Sequence, residues 1–508
     1  MALPFRFSPR PNQAARIAWQ EWGPDAFAEA ARTNRPVFLA ITTVWSGACQ
    51  NIDETTLSDD DVAAILNEAF VPVRVDGDRM PHVQDRYVTG GWPTMCFLTP
   101  TGEVIWSATA PDAPALLGAA QGVAAAWGER RAEFEAEIAR RRRAYDSSQR
   151  RGTTAGLVRR AAAEGVIIAL RATFDERNGG FGEPPRFPPV DALELLLNLG
   201  AAGDVEAADM AVRTLDGMRA GELFDAIDGG FYRYALAADW TEPRREKLLD
   251  VNAGLLRVFA AGAARHGNGG WRDVCHATVG WAERTLTQPD GLWGGSQIAD
   301  PHYFESNAEV RATLTSPPCD RTVFTDRNAS WIAALADAGR ALACDEWIQR
   351  ARDALVTLMD AAMQGDGVFH WREDGEWHLP GLLADPVALL RACNAVHAAT
   401  HDRTMLYRAK CMQRVLEKSF WADAGGFWDH VTLAPVGAVR DRQKPFVTNS
   451  DAVRGLLDLA RATGERGARA TAERTLALLS AGASRYGVEA AGFVLAVNAF
   501  FDPASSGV

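Results

Sequence analysis

The chain has 508 residues and a formal net charge of -12, with 47% of its residues hydrophobic and 23% charged. This length predicts at least two domains, and the acidic balance argues against a nucleic-acid partner, because phosphate binding needs a concentrated positive surface. The seven cysteines show no Cys-x-x-Cys spacing. No apolar run reaches the roughly 20 residues of a membrane span. We therefore expect a cytoplasmic globular protein with no membrane partner, disulfide framework, metal or cofactor.

The N-terminal part alternates short apolar runs with helical patterns. Residues 37–42 and 70–75 are rich in β-forming residues and predict buried strands, and residues 95–98 and 103–106 predict a hairpin. Helices are predicted at residues 24–34 and 59–68 and from Pro114 onward. This alternation predicts an α/β domain over residues 1–130.

One turn of this domain raises the question of redox chemistry. Trp45, Ser46 and Cys49 stand in a Trp-x-Gly-x-Cys pattern directly after the first strand, and Pro93 follows Gly-Gly-Trp. Both segments resemble thioredoxin, which has Trp-Cys-Gly-Pro-Cys in the first and a cis-proline in the second. Disulfide exchange needs an attacking thiolate, which Ser46 does not supply. We expect a scaffold that docks a protein partner, or else a single-thiol role for Cys49, rather than dithiol oxidoreductase activity.

The remainder of the chain has the pattern of a helical repeat. Residues 131–154 are predicted to hold the end of a helix and then a polar linker that begins at Asp146. Residues 155–508 are dominated by the apolar periodicity typical of helices. Glycine turns recur at positions 180, 230, 295, 367, 426 and 492. A turn every two helices predicts six helical hairpins. The apolar C-terminal run favours a closed ring, an (α/α)6 toroid, over an open solenoid.

Several motifs together resemble one family, the thioredoxin-domain proteins of the YyaL and spermatogenesis-associated-protein-20 type. The resemblance rests on residues 67–76, 90–94, 179–188, 229–234, 239–243 and 246–247. It implies a second half similar in fold to six-hairpin glycosidases and N-acylglucosamine 2-epimerases, without a defined reaction.

The chain departs from this family at positions that bear on chemistry. Ser46, Cys49 and Gln50 stand where the family normally has Cys-x-x-Cys followed by His. Tyr232 stands where a histidine is common, and Pro-Arg-Arg-Glu-Lys replaces Pro-His-Phe-Glu-Lys. An Asp-Ala-Asp segment is reduced to Ile-Ala-Asp, ending at Asp300. These changes indicate a diverged member with altered chemistry.

Candidate site residues follow from the family positions and from the loops. The catalytic candidates are Glu246 and Asp300, with Cys49 for the single-thiol alternative and Asp228, Asp326 and Asp385 as further carboxylates. The substrate-binding candidates are Tyr232, Arg233, Trp240, Arg244, Lys247, His302 and Trp331. Each carboxylate is otherwise a helix cap or an ion-pair partner, and the tryptophans otherwise fill their hairpins.

The functional hypotheses that remain belong to three classes. Paired carboxylates suit glycoside hydrolysis, and an acid/base pair suits isomerisation or epimerisation beside a carbonyl. The first hypothesis is therefore a toroid that binds or modifies a carbohydrate-like small molecule. The second is a binding or scaffold protein without turnover, and the third is a monothiol enzyme using Cys49.

Overall fold

The computed structural model describes residues 5–150, 157–365, 367–431 and 436–502. The chain forms two compact units, one from residues 1–153 and 432–442 and the other from residues 154–431 and 443–508. All seven cysteines are free thiols. Across the described ranges, no helix combines the length and the apolar character needed to span a bilayer.

The first unit is an α/β domain. Its strands are β1 (Val37–Thr42), β2 (Val71–Asp76), β3 (Thr94–Leu98) and β4 (Val104–Thr109). Its helices are α1 (Pro24–Thr33), α2 (Gly47–Glu54), α3 (Asp60–Ala69), α4 (Pro81–Tyr87) and α5 (Ala113–Arg150). The sheet order is β2-β1-β3-β4, with β1 parallel to β2 and antiparallel to β3. This order of strands and helices is a thioredoxin-like fold, as predicted.

The predicted linker is partly helical. Helix α5 continues to Arg150, past the expected linker start at Asp146, and residues 151–154 lie outside the described residues. One residue inside α5, Arg130, departs from helical geometry (φ -122°, ψ 22°) and marks a kink. The first unit continues past residue 130, where the first domain was predicted to end.

Both faces of the first sheet are covered. Along β1, Phe38 and Ala40 join an apolar cluster with α3 and α5, whereas Val37, Leu39 and Ile41 join a second cluster on the other face. A strand that is buried on both faces needs an uninterrupted run of apolar residues, and such a run predicted β1.

The second unit is almost entirely helical. Its helices are α6 (Arg160–Ala172), α7 (Val190–Ala201), α8 (Val205–Ala220), α9 (Leu249–His266), α10 (Gly269–Thr285), α11 (Pro301–Phe304), α12 (Ala308–Arg311), α13 (Thr325–Leu342), α14 (Asp345–Ala362), α15 (Ala384–Thr400), α16 (Arg403–Val415), α17 (Phe446–Thr463), α18 (Arg466–Leu479) and α19 (Ala491–Phe501). Its short strands are β5 (Tyr234–Ala235), β6 (Pro243–Arg244), β7 (Lys247–Leu248), β8 (Ser296–Gln297), β9 (Cys319–Asp320), β10 (Val323–Phe324), β11 (Met363–Gln364), β12 (Gly367–Glu373) and β13 (Glu376–Pro380).

The long helices form two concentric rings. The inner helices α7, α9, α13, α15, α17 and α19 each pack against the next, and α19 packs against α7. Outer helices α8, α10, α14, α16 and α18 each pack on the inner helix before them, and α6 packs on α19. The predicted (α/α)6 toroid is confirmed, and it closes by pairing the first helix of the unit with the last.

A buried asparagine holds the turn before three of the inner helices. Asn252, Asn328 and Asn449 are each the fourth residue of an inner helix and fully buried. Each accepts from the backbone N–H of an aromatic residue in the preceding turn, at 2.6, 2.9 and 2.7 Å, and donates to the carbonyl of that same residue. Both backbone groups of the buried aromatic residue are thereby satisfied. We call these residues the asparagine clamps.

The recurrent glycines serve two different purposes. Gly180, Gly230 and Gly426 have φ of +85°, +78° and +75°, as a glycine turn requires. The predicted left-handed turn is wrong for Gly492, which lies within α19. A Cβ there would lie 2.8 Å from Oδ2 of Asp191, so this glycine permits close packing of two inner helices. Gly295 and Gly367 also lack positive φ; a Cβ at Gly295 would meet the Phe324 ring at 2.8 Å.

Candidate functional site

The thioredoxin-type turn of the first unit is closed around Cys49. Ser46 caps α2, its hydroxyl accepting from the Cys49 N–H at 3.4 Å, and the Thr43 N–H donates to Cys49 Sγ at 3.4 Å. Trp45 donates from Nε1 to Asp78 Oδ2 at 2.6 Å. The Trp92–Pro93 peptide is cis, as the motif predicted.

The thiol of Cys49 is poorly suited to nucleophilic chemistry. Its side chain is 3% exposed, and burial raises its pKa to about 11 in spite of hydrogen bonds from Thr43 and Ser46. At neutral pH the group is therefore a neutral thiol, whereas attack requires the thiolate. Ser46 is buried as well. The turn that holds Ser46 and Cys49 is therefore a packed part of the domain core.

In the second unit, the predicted residues Glu246 and Lys247 lie in a buried network of charges. Glu246 is 4% exposed and pairs with Arg233 at 2.7 Å. Lys247 is fully buried and donates from Nζ to Asp225 Oδ2 and to the Gly229 carbonyl, both at 2.7 Å. Burial lowers the pKa of Lys247 to about 8 although Asp225 lies beside it.

Aromatic rings and a second cation complete this network. The Lys247 Nζ lies 5.2, 5.6 and 5.2 Å from the ring centres of Tyr232, Trp281 and Phe304. Arg311 contacts both oxygens of Asp225, at 2.9 and 2.8 Å. The positive charges here are met by carboxylates and ring faces, so the arrangement is that of a packed ion network.

Asp300, His302 and Arg244 lie outside this network, whereas Asp228 joins it through Arg311. Asp300 caps α11 by accepting from the Tyr303 N–H at 3.1 Å, and His302 is exposed. Arg244 is exposed, and Asp228 pairs with Arg311 at 2.9 Å. Within the part of the chain that the structure describes, no contact joins Glu246 to Asp300. Their catalytic roles stay predictions.

The predicted tryptophans are buried in their hairpins. Trp240 is 1% exposed, donates to the Asn178 carbonyl at 3.0 Å and packs against Gly180. Trp331 is completely buried and lies 6.2 Å from Trp293, ring centre to ring centre. Trp240 and Trp331 therefore fill the core of their hairpins, which was the alternative to a substrate-binding role.

The toroid encloses a central cavity of about 1540 Å³. All six inner helices contribute to its lining, which holds nine arginines and nine carboxyl groups. The arginines are Arg160, Arg186, Arg257, Arg265, Arg327, Arg340, Arg391, Arg454 and Arg461. The carboxylates are Asp191, Glu194, Asp250, Asp326, Asp337, Asp451, Asp458, Glu489 and Asp502.

Six of these residues form a charged belt across the cavity: Asp191, Glu194, Arg257, Arg391, Asp451 and Arg454. Arg454 pairs with Glu194 and, at 3.2 Å, with Asp191. Arg257 reaches Glu194 at 2.7 Å. Arg391 pairs with Asp451. The belt joins four inner helices, α7, α9, α15 and α17, by alternating charges.

The carboxyl groups in the cavity have pKa values shifted in opposite directions. Burial by itself would raise the pKa of Glu194, but Arg257 and Arg454 outweigh it and lower the value to about 2. Burial raises the pKa of Asp337 and of Asp458 above the usual range. One cavity thus holds a firmly ionised carboxylate and carboxyls that keep their protons more readily, an arrangement suited to acid–base chemistry.

Polar atoms in the lining also lack protein partners. Nη1 of Arg265 and Oδ1 of Asn394 are buried and have no hydrogen-bond partner among the described residues. Unpaired polar atoms are costly unless water or a ligand meets them. None of the belt residues was predicted from the sequence.

Comparison with known sequences supports the resemblance predicted from the motifs. Residues 9–144 match the family described as "Protein of unknown function, DUF255". The chain is 26% identical over 319 residues to spermatogenesis-associated protein 20 of Homo sapiens, covering 56% of this chain and 39% of that protein. It is 30% identical over 262 residues to uncharacterized protein B0495.5 of Caenorhabditis elegans, covering 48% and 36%. The match thus spans less than two fifths of these relatives' length.

Solved structures match the second unit in fold. A sugar epimerase from a ruminal bacterium has a TM-score of 0.50 at 11% identity, covering 61% of this chain and 82% of its own. An unsaturated glucuronyl hydrolase specific for heparin has a TM-score of 0.50 at 12% identity, covering 69% and 99%. At such identities the likeness shows the fold alone. The chain therefore joins a thioredoxin-like domain of the DUF255 family to an (α/α)6 toroid, and it resembles spermatogenesis-associated protein 20 over more than half its length.

Proposed function

We propose that the toroid binds a neutral, carbohydrate-like small molecule in its central cavity and transforms it by acid–base chemistry. The observation that carries this proposal is the charged belt, which crosses a cavity large enough for an oligosaccharide unit. An isomerase, an epimerase and a glycosidase are the reaction classes this chemistry serves.

The alternation of arginines and carboxylates in the lining favours a ligand with many hydroxyl groups. Arginine offers only donors and an ionised carboxylate only acceptors, whereas a sugar hydroxyl does both. A sugar ring placed across alternating arginines and carboxylates therefore finds partners for each hydroxyl.

The shifted carboxyl groups support catalysis. We assign Glu194 as an ionised group that orients or stabilises positive charge, and Asp337 as the candidate proton donor. Two proteins that share the toroid fold are a sugar epimerase and a glucuronyl hydrolase, which agrees with a carbohydrate ligand.

A thermal-shift screen against neutral mono- and disaccharides tests the binding step. A ligand at about 100 times its Kd stabilises the folded state by about 2.7 kcal/mol, which raises the melting temperature measurably. We expect one sugar class to stabilise the wild type and not Asp337→Asn, and Asp209→Asn on the exposed face of α8 to respond like the wild type. No shift with any neutral sugar contradicts the proposal.

A binding protein without turnover is the second candidate. It is favoured by the belt itself, since both carboxylates of α7 are already paired with arginines. Proton NMR of the bound sugar in D₂O separates the two: isomerisation or exchange of a ring proton supports an enzyme, and an unchanged spectrum supports a binder.

For the first unit we propose a docking role toward a protein partner, and for the whole chain a reducing, cytoplasmic setting. The buried turn at Ser46 and Cys49 leaves a thioredoxin-like surface without exchange chemistry. The seven free cysteines agree with a reducing compartment. The high pKa of Cys49 argues against the monothiol alternative.

A further inference from the structure

Outside the charged belt, a histidine and two aspartates from three elements of the second unit come together. Asp326, His370 and Asp385 each offer one ligand atom, and these atoms all lie within 4.8 Å of one another. His370 is 2% exposed and Asp385 is fully buried. Asp326 is half-buried and also lines the central cavity. The cluster therefore lies inside the protein and reaches the cavity through one carboxylate.

The local fold explains why the three residues meet. Strand β12, which carries His370, lies between β10 and β13. Helix α13 begins directly after β10, with Asp326 as its second residue, and Thr325 Oγ1 donates to the Phe369 carbonyl at 2.6 Å. Helix α15 follows β13, with Asp385 as its second residue, and packs against α13. The two aspartates thus flank the histidine from neighbouring helices.

Asp385 lacks the partners that a buried carboxylate needs. Its Oδ1 lies 2.9 Å from Nδ1 of His370, and the Asp326 backbone N–H also interacts with the carboxylate, but its buried Oδ2 has no partner at normal hydrogen-bond geometry among the described residues. At the same helix position, Asp191 is paired with arginines and Asp250 is exposed to solvent. A buried carboxylate oxygen without a donor is costly, and a bound cation removes that cost.

We propose that Asp326, His370 and Asp385 bind one divalent metal ion of the zinc class. One imidazole nitrogen and two carboxylate oxygens are ligands that zinc accepts, with metal–ligand distances of about 2.0–2.2 Å. The three atoms, which lie within 4.8 Å of one another, would move closer together around the ion to reach such distances. Three protein ligands leave a coordination position for water or a ligand hydroxyl. The proposal rests on these three residues and not on the charged belt, although Asp326 also lines the central cavity.

Metal content measured on the full chain tests the proposal. Protein without a histidine tag is stripped with chelator, dialysed against Zn²⁺ at neutral pH, and analysed by inductively coupled plasma mass spectrometry and thermal melting. We expect one zinc ion per chain and a higher melting temperature with zinc. Asp326→Asn and Asp385→Asn should both lose the zinc and the thermal shift.

Asp250→Asn provides the matched control, because Asp250 has the same position in α9 and lines the same cavity. This variant should bind zinc like the wild type. If circular dichroism shows that Asp385→Asn does not fold, Asp326→Asn alone tests the metal site. Asp326 is only half-buried, so its substitution should be tolerated by the fold. Absence of stoichiometric zinc from the wild type, or zinc retained by Asp326→Asn, overturns the proposal.

Discussion

At the scale of single residues, the environment of Cys49 determines its reactivity. With a pKa of about 11 and a 3% exposed side chain, Cys49 should react with iodoacetamide on the order of a hundredfold more slowly in the folded chain than after denaturation in urea. Peptide mass spectrometry measures this rate, with half-buried Cys411 as the internal reference. Equal labelling rates for Cys49 and Cys411 in the folded protein would contradict the burial described above.

Glu194 should make the stability of the toroid depend on acid pH. Its pKa falls from the usual 4.5 to about 2 in the folded state, so its contribution is fully present above 4.5 and is lost as the pH falls toward 2. The contribution is about 3 kcal/mol. Melting curves of the wild type and Glu194→Gln should differ most near pH 6, and the difference should fall to about half by pH 3. A constant difference across this range would falsify the assignment.

Individual site residues were predictable only where a local pattern marks them. Ser46 and Cys49 stand three residues apart in one turn, and their placement was anticipated. The charged belt was not, because Arg454 and Glu194 are 260 residues apart in sequence and meet only when the ring closes. His370 and Asp385 are 15 residues apart but lie on a strand and a helix, so spacing alone does not pair them.

At the scale of elements, the asparagine clamps should be structural determinants of the toroid. Asn449→Ala removes the partner of the Phe427 N–H and carbonyl, both buried, so we expect a loss of about 1–3 kcal/mol. Gln349→Ala, an exposed amide on α14, should change stability by less than about 0.5 kcal/mol. Urea denaturation followed by circular dichroism compares the two variants. A similar small effect for both would show that the clamp is dispensable.

Elements with strong periodicity were predicted well and short ones were not. Strand β1 has the predicted bounds, and β2 is displaced by one residue. Helices α2 and α4 were not predicted, because eight and seven residues give too few turns for a recognisable apolar face. The asparagine clamps were not predicted either. An asparagine near the start of a helix is normally interpreted as a helix cap, and not as a residue that hydrogen-bonds to the backbone of a preceding turn.

At the scale of the whole molecule, the first unit depends on a segment from late in the chain. The Ala438 N–H donates to the Tyr87 hydroxyl at 2.8 Å, Val439 is buried in the apolar cluster of the unit, and Arg440 pairs with Glu103 at 2.6 Å. Gly437 has φ of +57°, and a Cβ there would lie 2.5 Å from the Tyr87 hydroxyl oxygen.

Gly437→Ala should therefore loosen the first unit from a position outside residues 1–153. We expect faster amide hydrogen exchange around Tyr87, because the added methyl group displaces the segment that bonds to it. Gly464→Ala is the matched control, since Gly464 has a similar φ of +72° but open space around its Cα. Hydrogen exchange with mass spectrometry should find Tyr87 unaffected in the control. Unchanged exchange in Gly437→Ala as well would show that the segment contributes little.

The helical repeat and its closure were predicted from the recurrent glycines and the apolar C-terminus, although Gly492 proved to lie within a helix, whereas the composite first unit was not predicted. Residues 436–442 carry no β-type or thioredoxin-like pattern, and their membership depends on contacts with residues more than 300 positions earlier, such as the 351-residue separation of Ala438 and Tyr87.

That separation has a consequence for biosynthesis. Translation proceeds from the N-terminus, so Tyr87 and Glu103 leave the ribosome long before Ala438 and Arg440 exist. A nascent chain that ends before residue 436 lacks Val436, Ala438 and Val439, so the apolar cluster they pack against stays partly uncovered. We therefore expect the earliest-made domain to complete its packing only after most of the polypeptide has been synthesised.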